Sequence, residues 1–288
     1  MANALDAGTA RLGDLEVPRM GYGAMQLAGP RVFGPPADPD RARRALRTAV
    51  ELGVRHIDTS DYYGPYVVNE LIRETLHPYP DDLVIVTKVG ARRDDAGGWL
   101  PALGADDLRR AVEENLAHLG VDRLDVVNLR LIGSDVAVAE SFAALAGLRE
   151  EGLIRHLGVS NVDAVQLAQA QSVAPVVCVQ NMYNVADRGD DALVESCAEQ
   201  GIAYVPYFPL GSAFAPFEAA GLETVAKRHE VSVHRVALAW LLARSPNLLL
   251  IPGTSSVAHL EENLAAGMLV LGPRELEDLD DIGGTPTP

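Results

Sequence analysis

The stretch Arg55-His56-Ile57-Asp58-Thr59-Ser60, the helical pattern of residues 66–76, and then Leu83-Val84-Ile85-Val86-Thr87-Lys88-Val89 together read as strand, helix, strand. Both strand runs are almost continuously apolar until their last residues, as expected where both faces of a sheet are covered. The same alternation extends in both directions. Further β-rich runs are Met20–Met25, Leu124–Leu131, Ile154–Asn161, Pro175–Tyr183, Ile202–Pro209 and Leu248–Thr254. Helical patterns fall at 40–53, 105–119, 136–150, 162–171, 190–199 and 257–265, and a pair fills 217–244. Eight such units predict an α/β fold of the (β/α)8 TIM-barrel type as one domain over 1–288. Residues 9–18, with Gly13-Asp14 at their centre, predict an N-terminal β-hairpin at the barrel bottom. An open doubly wound sheet is the competing architecture. It needs a glycine-rich phosphate turn after the first strand, and Gly21-Tyr22-Gly23 lacks that spacing.

Composition narrows the partners. The chain carries 24 Lys and Arg against 40 Asp and Glu, a net charge of −16. Such a field repels nucleic acid and anionic membrane surfaces, so neither is an expected partner. No apolar run is long enough to span a bilayer, and Met1 to Leu15 lacks the basic start and apolar core of a secretory signal. The cytoplasm is the expected compartment, and a monomer or weak homo-oligomer the expected state. Cys178 and Cys197 show no metal-ligand spacing and read as buried reduced thiols. No metal is expected.

In a barrel the inward residues alternate, and chemistry collects at the C-terminal ends of strands. His56, Asp58 and Ser60 share a face, as do Val84, Val86 and Lys88, and Val126, Asn128 and Arg130. Asp58, Lys88 and Arg130 therefore crowd one corner of the mouth. Charges late in apolar strands are costly unless paired. A purely structural ion-pair network would satisfy that constraint. Three such residues on consecutive strands, with Tyr62 and Tyr63 on the loop that follows, favour a site. Tyr63 has the residue type of a general acid, Lys88 could lower its pKa, and Asp58 could fix the lysine. A Schiff-base lyase acting through Lys88 is the alternative chemistry.

The segment Asp58-Thr59-Ser60-Asp61-Tyr62-Tyr63-Gly64 resembles the Asp-x-x-x-x-Tyr-Gly signature of the aldo-keto reductases. Val86-Thr87-Lys88, Gly158-Val159-Ser160-Asn161, Gln180-Asn181-Met182-Tyr183-Asn184, Tyr207-Phe208-Pro209-Leu210-Gly211, Ile251-Pro252-Gly253-Thr254 and Glu262-Asn263 follow in the family's order. The sequence around Asp125 to Arg130 is similar to a bacterial pyridoxal reductase-like branch. The resemblance implies reduction of a small aldehyde or ketone to the alcohol, with pyridoxal a candidate. The family implies NADP, with NAD the lesser choice. Tyr63 would be the acid, held by Asp58 and Lys88. Arg130 stands where the family has histidine, and a permanent charge there would favour a substrate with an anionic group beside its carbonyl. Ser160, Asn161 and Gln180 would hold the nicotinamide carboxamide, with Tyr207 stacked on the ring and Phe208 beside it. Gly23, Ala24, Met25 and Asp58 would line the first strands' ends, and Leu210, Gly211 and Ser212 would meet the pyrophosphate. Gly253, Thr254, Ser255, His259, Glu262 and Asn263 would reach the nucleotide end. The family's basic residues are missing at Gly253 and His259, so the residues themselves leave NADP against NAD open. A nucleotide-binding barrel with little turnover is the further alternative that the missing histidine raises.

Overall fold

The computed structural model describes residues 2–133, 138–211 and 220–282. Strands β1 (Thr9–Leu12) and β2 (Leu15–Pro18) pair antiparallel, with Leu12 opposite Leu15. The expected hairpin is therefore present. Its tip is tied to the bottom of the barrel: Arg155 Nη2 donates to Asp14 Oδ2 at 2.7 Å, and His156 Nε2 lies 2.5 Å from Asp14 Oδ1.

The barrel strands are β3 (Tyr22–Gly23), β4 (His56–Asp58), β5 (Val84–Val89), β8 (Leu124–Arg130), β9 (Ile154–Ser160), β10 (Val176–Gln180) and β11 (Ala203–Tyr204). They form one parallel sheet in the order β11-β10-β9-β8-β5-β4-β3. Residues 248–251 close the ring through parallel bridges from Leu248 to Tyr204 and from Leu250 to Met20. A small hairpin, β6 (Ala91–Arg93) with β7 (Trp99–Pro101), stands on the loop after β5. The sequence pattern did not point to it.

Helices α1 (Pro39–Glu51), α2 (Val67–Leu76), α3 (Ala105–Leu119), α4 (Val138–Glu150), α5 (Ala164–Gln171), α6 (Asp191–Glu199), α7 (Ala220–His229), α8 (Val233–Arg244) and α9 (Val257–Leu264) follow the strands as expected. The final α10 (Pro273–Asp280) was not anticipated. Local chemistry sets several boundaries. Asp38 caps α1 just before Pro39, Asp163 and Gln166 form a capping box on α5, and Ser232 caps α8. The first and seventh strands are shorter than their apolar runs. After Gly23 the chain tightens into a 3-10 turn over Ala24–Leu27, so an apolar run continues where ladder pairing has ended.

Two cores result. Most buried side chains lie between sheet and helices. A second, smaller cluster fills the barrel: Leu12 and Val17 from the plugging hairpin meet Val84, Val86, Val126, Cys178, Ala203, Val205, Leu249 and Ile251. Val84, Val86 and Val126 face inward, which is the parity that turns Lys88, Asn128 and Arg130 inward as well.

Candidate active site

Above the apolar filling lies a polar layer. His56 and Asn128 are fully buried, and Cys178 Sγ donates to Asn128 Oδ1 at 3.0 Å. Room for this pair comes from Gly158, where a Cβ would stand 2.1 Å from Asn128 Oδ1 and 2.6 Å from Cys178 Sγ. Burial pushes the Cys178 thiol up to about 12, so it is no nucleophile near neutrality. Burial also pulls His56 down to about 4, against a smaller upward pull from Asp58.

At the mouth, Lys88 Nζ lies 2.6 Å from Asp58 Oδ1, and both side chains are 4% exposed. The ammonium also donates to Thr59 O at 2.9 Å. Gln180 Nε2 donates to Asp58 Oδ2 at 2.8 Å. Both carboxylate oxygens are thus occupied, as a buried ion pair requires if desolvation is to be offset. Strand parity predicts the meeting of Asp58 and Lys88, and a third strand adds Gln180.

Tyr63 is 7% exposed, with its ring centroid 5.1 Å from Lys88 Nζ. Its electrostatics differ from the sequence expectation. Burial raises its pKa well above the ordinary phenol value, the Asp58 charge raises it further, and Arg130 is the cation that lowers it. The Lys88 charge is committed to Asp58 at 2.6 Å and offers the phenol little. Tyr63 is therefore protonated at neutral pH.

The loop carrying Tyr63 is braced from behind. Thr59 Oγ1 donates to Asn69 Oδ1 at 2.8 Å, and Asn69 Nδ2 donates to Asp61 Oδ1 and Asn115 Oδ1 at 3.1 and 2.9 Å. Thr87 Oγ1 donates to Asn115 Oδ1 at 2.6 Å, and His118 Nδ1 lies 2.9 Å from Asp61 Oδ1. Sequence reasoning missed Asn69 and Asn115. Their signal was an amide on the apolar face of a helix, a position that requires buried partners.

Arg130 Nη1 donates to Ser160 Oγ at 3.1 Å, and its guanidinium carbon lies 5.3 Å from the Tyr207 ring centroid. Among the described residues Arg130 forms no ion pair, so it does not bond Asp58. Asn161 has a left-handed backbone, φ +66°. Its Nδ2 donates to Leu131 O at 3.2 Å and its Oδ1 accepts from Tyr207 Oη at 2.9 Å. It is not the cap of α5, which Asp163 provides.

A cleft of about 350 Å³ opens over these groups. Of the residues expected at a cofactor, Gly23, Met25, Asp58, Gln180, Tyr207, Phe208, Leu210, Gly211 and Gly253 line it, together with Tyr63, Lys88 and Arg130. Backbones approach so closely at its seam that a Cβ on Gly23 would stand 2.4 Å from Ile251 O, and one on Gly253 2.6 Å from Gly23 O. Only glycine serves there. Other expected residues do not line the cleft. Ala24 is buried in the core. Ser160 and Asn161 turn to Arg130 and Tyr207. Thr254 Oγ1 accepts from Ser256 N, Ser255 O accepts from Arg41 Nε, and His259 is exposed. Asn263 is buried. Glu262 Oε1 accepts from Ser232 Oγ, the cap of α8, at 2.8 Å. Ser212 lies outside the described residues. Arg31, Val32, Gln26 and Trp99 add to the lining.

One feature tests the fit of a nicotinamide directly. Gln180 Oε1 is buried and has no donor among the described residues, while its Nε2 is fixed on Asp58. A buried carbonyl at a cleft wants an N–H, and a primary carboxamide carries one. Among the described residues no cluster of three or more His, Cys, Asp and Glu could hold a metal ion. Among the described residues no helix is long and apolar enough to cross a membrane.

Comparison with known proteins agrees with this geometry. Pyridoxine 4-dehydrogenase of Escherichia coli K12 is 53% identical over 284 residues, spanning 96% of this chain and 99% of its own. A thermostable aldo-keto reductase solved with the inhibitor epalrestat has a TM-score of 0.83 at 33% identity, covering 96% of this chain and 99% of that one. An aldo/keto reductase from Klebsiella pneumoniae, solved with NADP and acetate, has a TM-score of 0.81 at 27% identity, covering 97% and 96%. The model of the aldo/keto reductase family matches residues 19–283, and with a barrel, a buried Asp58–Lys88 pair and Tyr63 at its mouth, the chain belongs to that family.

Proposed function

We propose that the protein is a single-domain cytoplasmic enzyme, monomeric or weakly self-associating, that reduces pyridoxal to pyridoxine with NADPH. When bound, the nicotinamide supplies the hydride. Gln180 Oε1 would accept from its carboxamide, Tyr207 and Phe208 would flank it, and Gly23, Gly211 and Gly253 would leave room for it. Tyr63 donates its proton to the carbonyl oxygen as that oxygen gains charge. A phenol held above its ordinary pKa still gives up a proton to an alkoxide, a much stronger base. Asp58 holds Lys88, and Lys88 holds the Thr59 carbonyl at the root of the loop. The same ion pair counts against a Schiff-base role, because a nucleophilic amine must be free and neutral.

The observation that carries the substrate is Arg130, a cation at the carbonyl end of the cleft with no carboxylate partner among the described residues. Pyridoxal sets an ionisable phenol beside its aldehyde, which suits a fixed guanidinium. The name of the Escherichia coli relative points the same way. The test compares pyridoxal with 4-nitrobenzaldehyde, each with NADPH and NADH. Arg130→Met lowers kcat/KM for pyridoxal about 10- to 100-fold more than for the neutral aldehyde, the scale of one charge-assisted hydrogen bond. Equal losses for both would remove the pyridoxal assignment. Preference for NADH would remove the cofactor assignment.

A further inference from the structure

Among the described residues the charged side chains lining the cleft are Arg31, Asp58, Lys88 and Arg130. Asp58 and Lys88 cancel at 2.6 Å. Among the described residues neither Arg31 nor Arg130 forms an ion pair, so a chain of net charge −16 keeps a locally positive cleft. Arg130 lies deep, against Ser160 and Tyr207. Arg31 is exposed at the mouth.

The backbone that presents Arg31 is strained. Arg31 and Val32 both have φ +59°, a left-handed pair that is uncommon for arginine and an outlier for a β-branched residue. Such conformations persist only where the surroundings hold them, and they collect at ligand sites. Here the surroundings are explicit. Arg93 Nη1 donates to Val32 O at 2.9 Å and Nη2 to Arg31 O at 3.3 Å, while Gly64 N donates to Val32 O at 3.2 Å. The Arg93 guanidinium in turn lies 4.1 Å from the Trp99 ring centroid. Arg31 is thus anchored to the wall that carries Tyr63 and Trp99, on the substrate side. It is not anchored to Leu210, Gly211 or Gly253, where a cofactor's phosphates are expected.

We propose that Arg31 is a specificity-determining residue that recognises a second negative charge on the substrate, a carboxylate or phosphate monoester remote from the carbonyl. Arg130 answers charge beside the carbonyl, and Arg31 answers charge at the far end of the same molecule. The inference rests on carbonyl reduction at this cleft; pyridoxal, whose one acidic group is the phenol beside its aldehyde, carries no such remote charge, so Arg31 extends the accepted aldehydes beyond it.

The test uses 4-carboxybenzaldehyde, its neutral methyl ester and 4-formylphenyl phosphate, with NADPH. The ratio of kcat/KM for an anionic aldehyde over the ester isolates the remote charge. The wild type favours the acid or the phosphate about tenfold at low salt, and about 0.3 M NaCl compresses that preference by screening. Whichever anion gives the larger ratio identifies the group. Arg31→Asn removes the charge while tolerating the left-handed backbone and lowers the ratio about tenfold; Arg31→Lys keeps most of it. NADPH affinity, read by fluorescence titration, does not change in either variant. No anionic preference in the wild type, an unchanged ratio in Arg31→Asn, or equal loss in Arg31→Lys would each overturn the proposal. Weaker NADPH binding with the ratio intact would instead assign Arg31 to the cofactor.

Discussion

Tyr63 stands between charges of opposite effect: Asp58 raises its pKa, Arg130 lowers it, and burial outweighs both. A residue so placed holds its proton until a stronger base appears beside it. Tyr63→Phe is expected to lower kcat about 100- to 10,000-fold, the usual loss on removing a general acid. NADPH affinity, measured by fluorescence quenching, should stay within about twofold because the phenol is not needed to seat a nucleotide. Wild-type kcat in this variant, with chemistry limiting, would exclude the role. The Asp58–Lys88 pair was legible in the sequence, since a charge ending an apolar strand must be paired. Arg31 was not, because nothing in Gly29-Pro30-Arg31-Val32 signals that the loop folds back over the cleft. The small weight of Lys88 on Tyr63 was not legible either, because sequence cannot say which anion a cation will be spent on.

The hairpin β1–β2 is the element whose role followed most directly from pattern: a glycine-centred turn between short apolar runs, with an open barrel floor to cover. Leu12 and Val17 are both fully buried against the inner valines. Leu12→Ala should cost about 2–5 kcal/mol, the range for deleting a buried leucine that leaves a cavity. It lies at the opposite end of the barrel from Tyr63, so kcat should be retained while the urea midpoint falls. A variant as stable as the wild type would mean that the floor collapses to fill the gap. Strand and helix order came from the alternation alone. Hairpin β6–β7 did not, because Ala91-Arg92-Arg93 and Trp99-Leu100-Pro101 bury too few side chains to show a period. What fixes them is Arg93, held by carbonyls of a distant loop.

For the molecule as a whole, His56 couples stability to pH. Burial takes it from 6.5 to about 4, so the unfolded chain binds a proton that the folded chain refuses. Stability is then complete above the unfolded value and falls as pH drops from 6.5 toward 4, by about 2–3 kcal/mol by roughly pH 4.5. Asp61, pushed up to about 6 by burial, acts in the opposite sense over nearly the same range, so the wild-type curve mixes the two. Comparing the wild type with His56→Phe in denaturant titrations isolates the histidine: the wild type should lose more stability on acidification. Parallel curves would show that His56 is protonated when folded. The ring of strands has a different consequence. It closes through residues 248–251, which bridge back to Met20 across more than two hundred residues of chain, and Gly23 and Gly253 meet at that closure. Until the last strand is docked, the nucleotide cradle is incomplete, because Gly253 reaches Gly23 only with that strand. Loops this long close slowly, so assembly of the pocket and completion of the fold become one late event. A dinucleotide laid across that junction would clasp the first and last strands together, and the cell's own cofactor pool would help keep the newly made barrel shut.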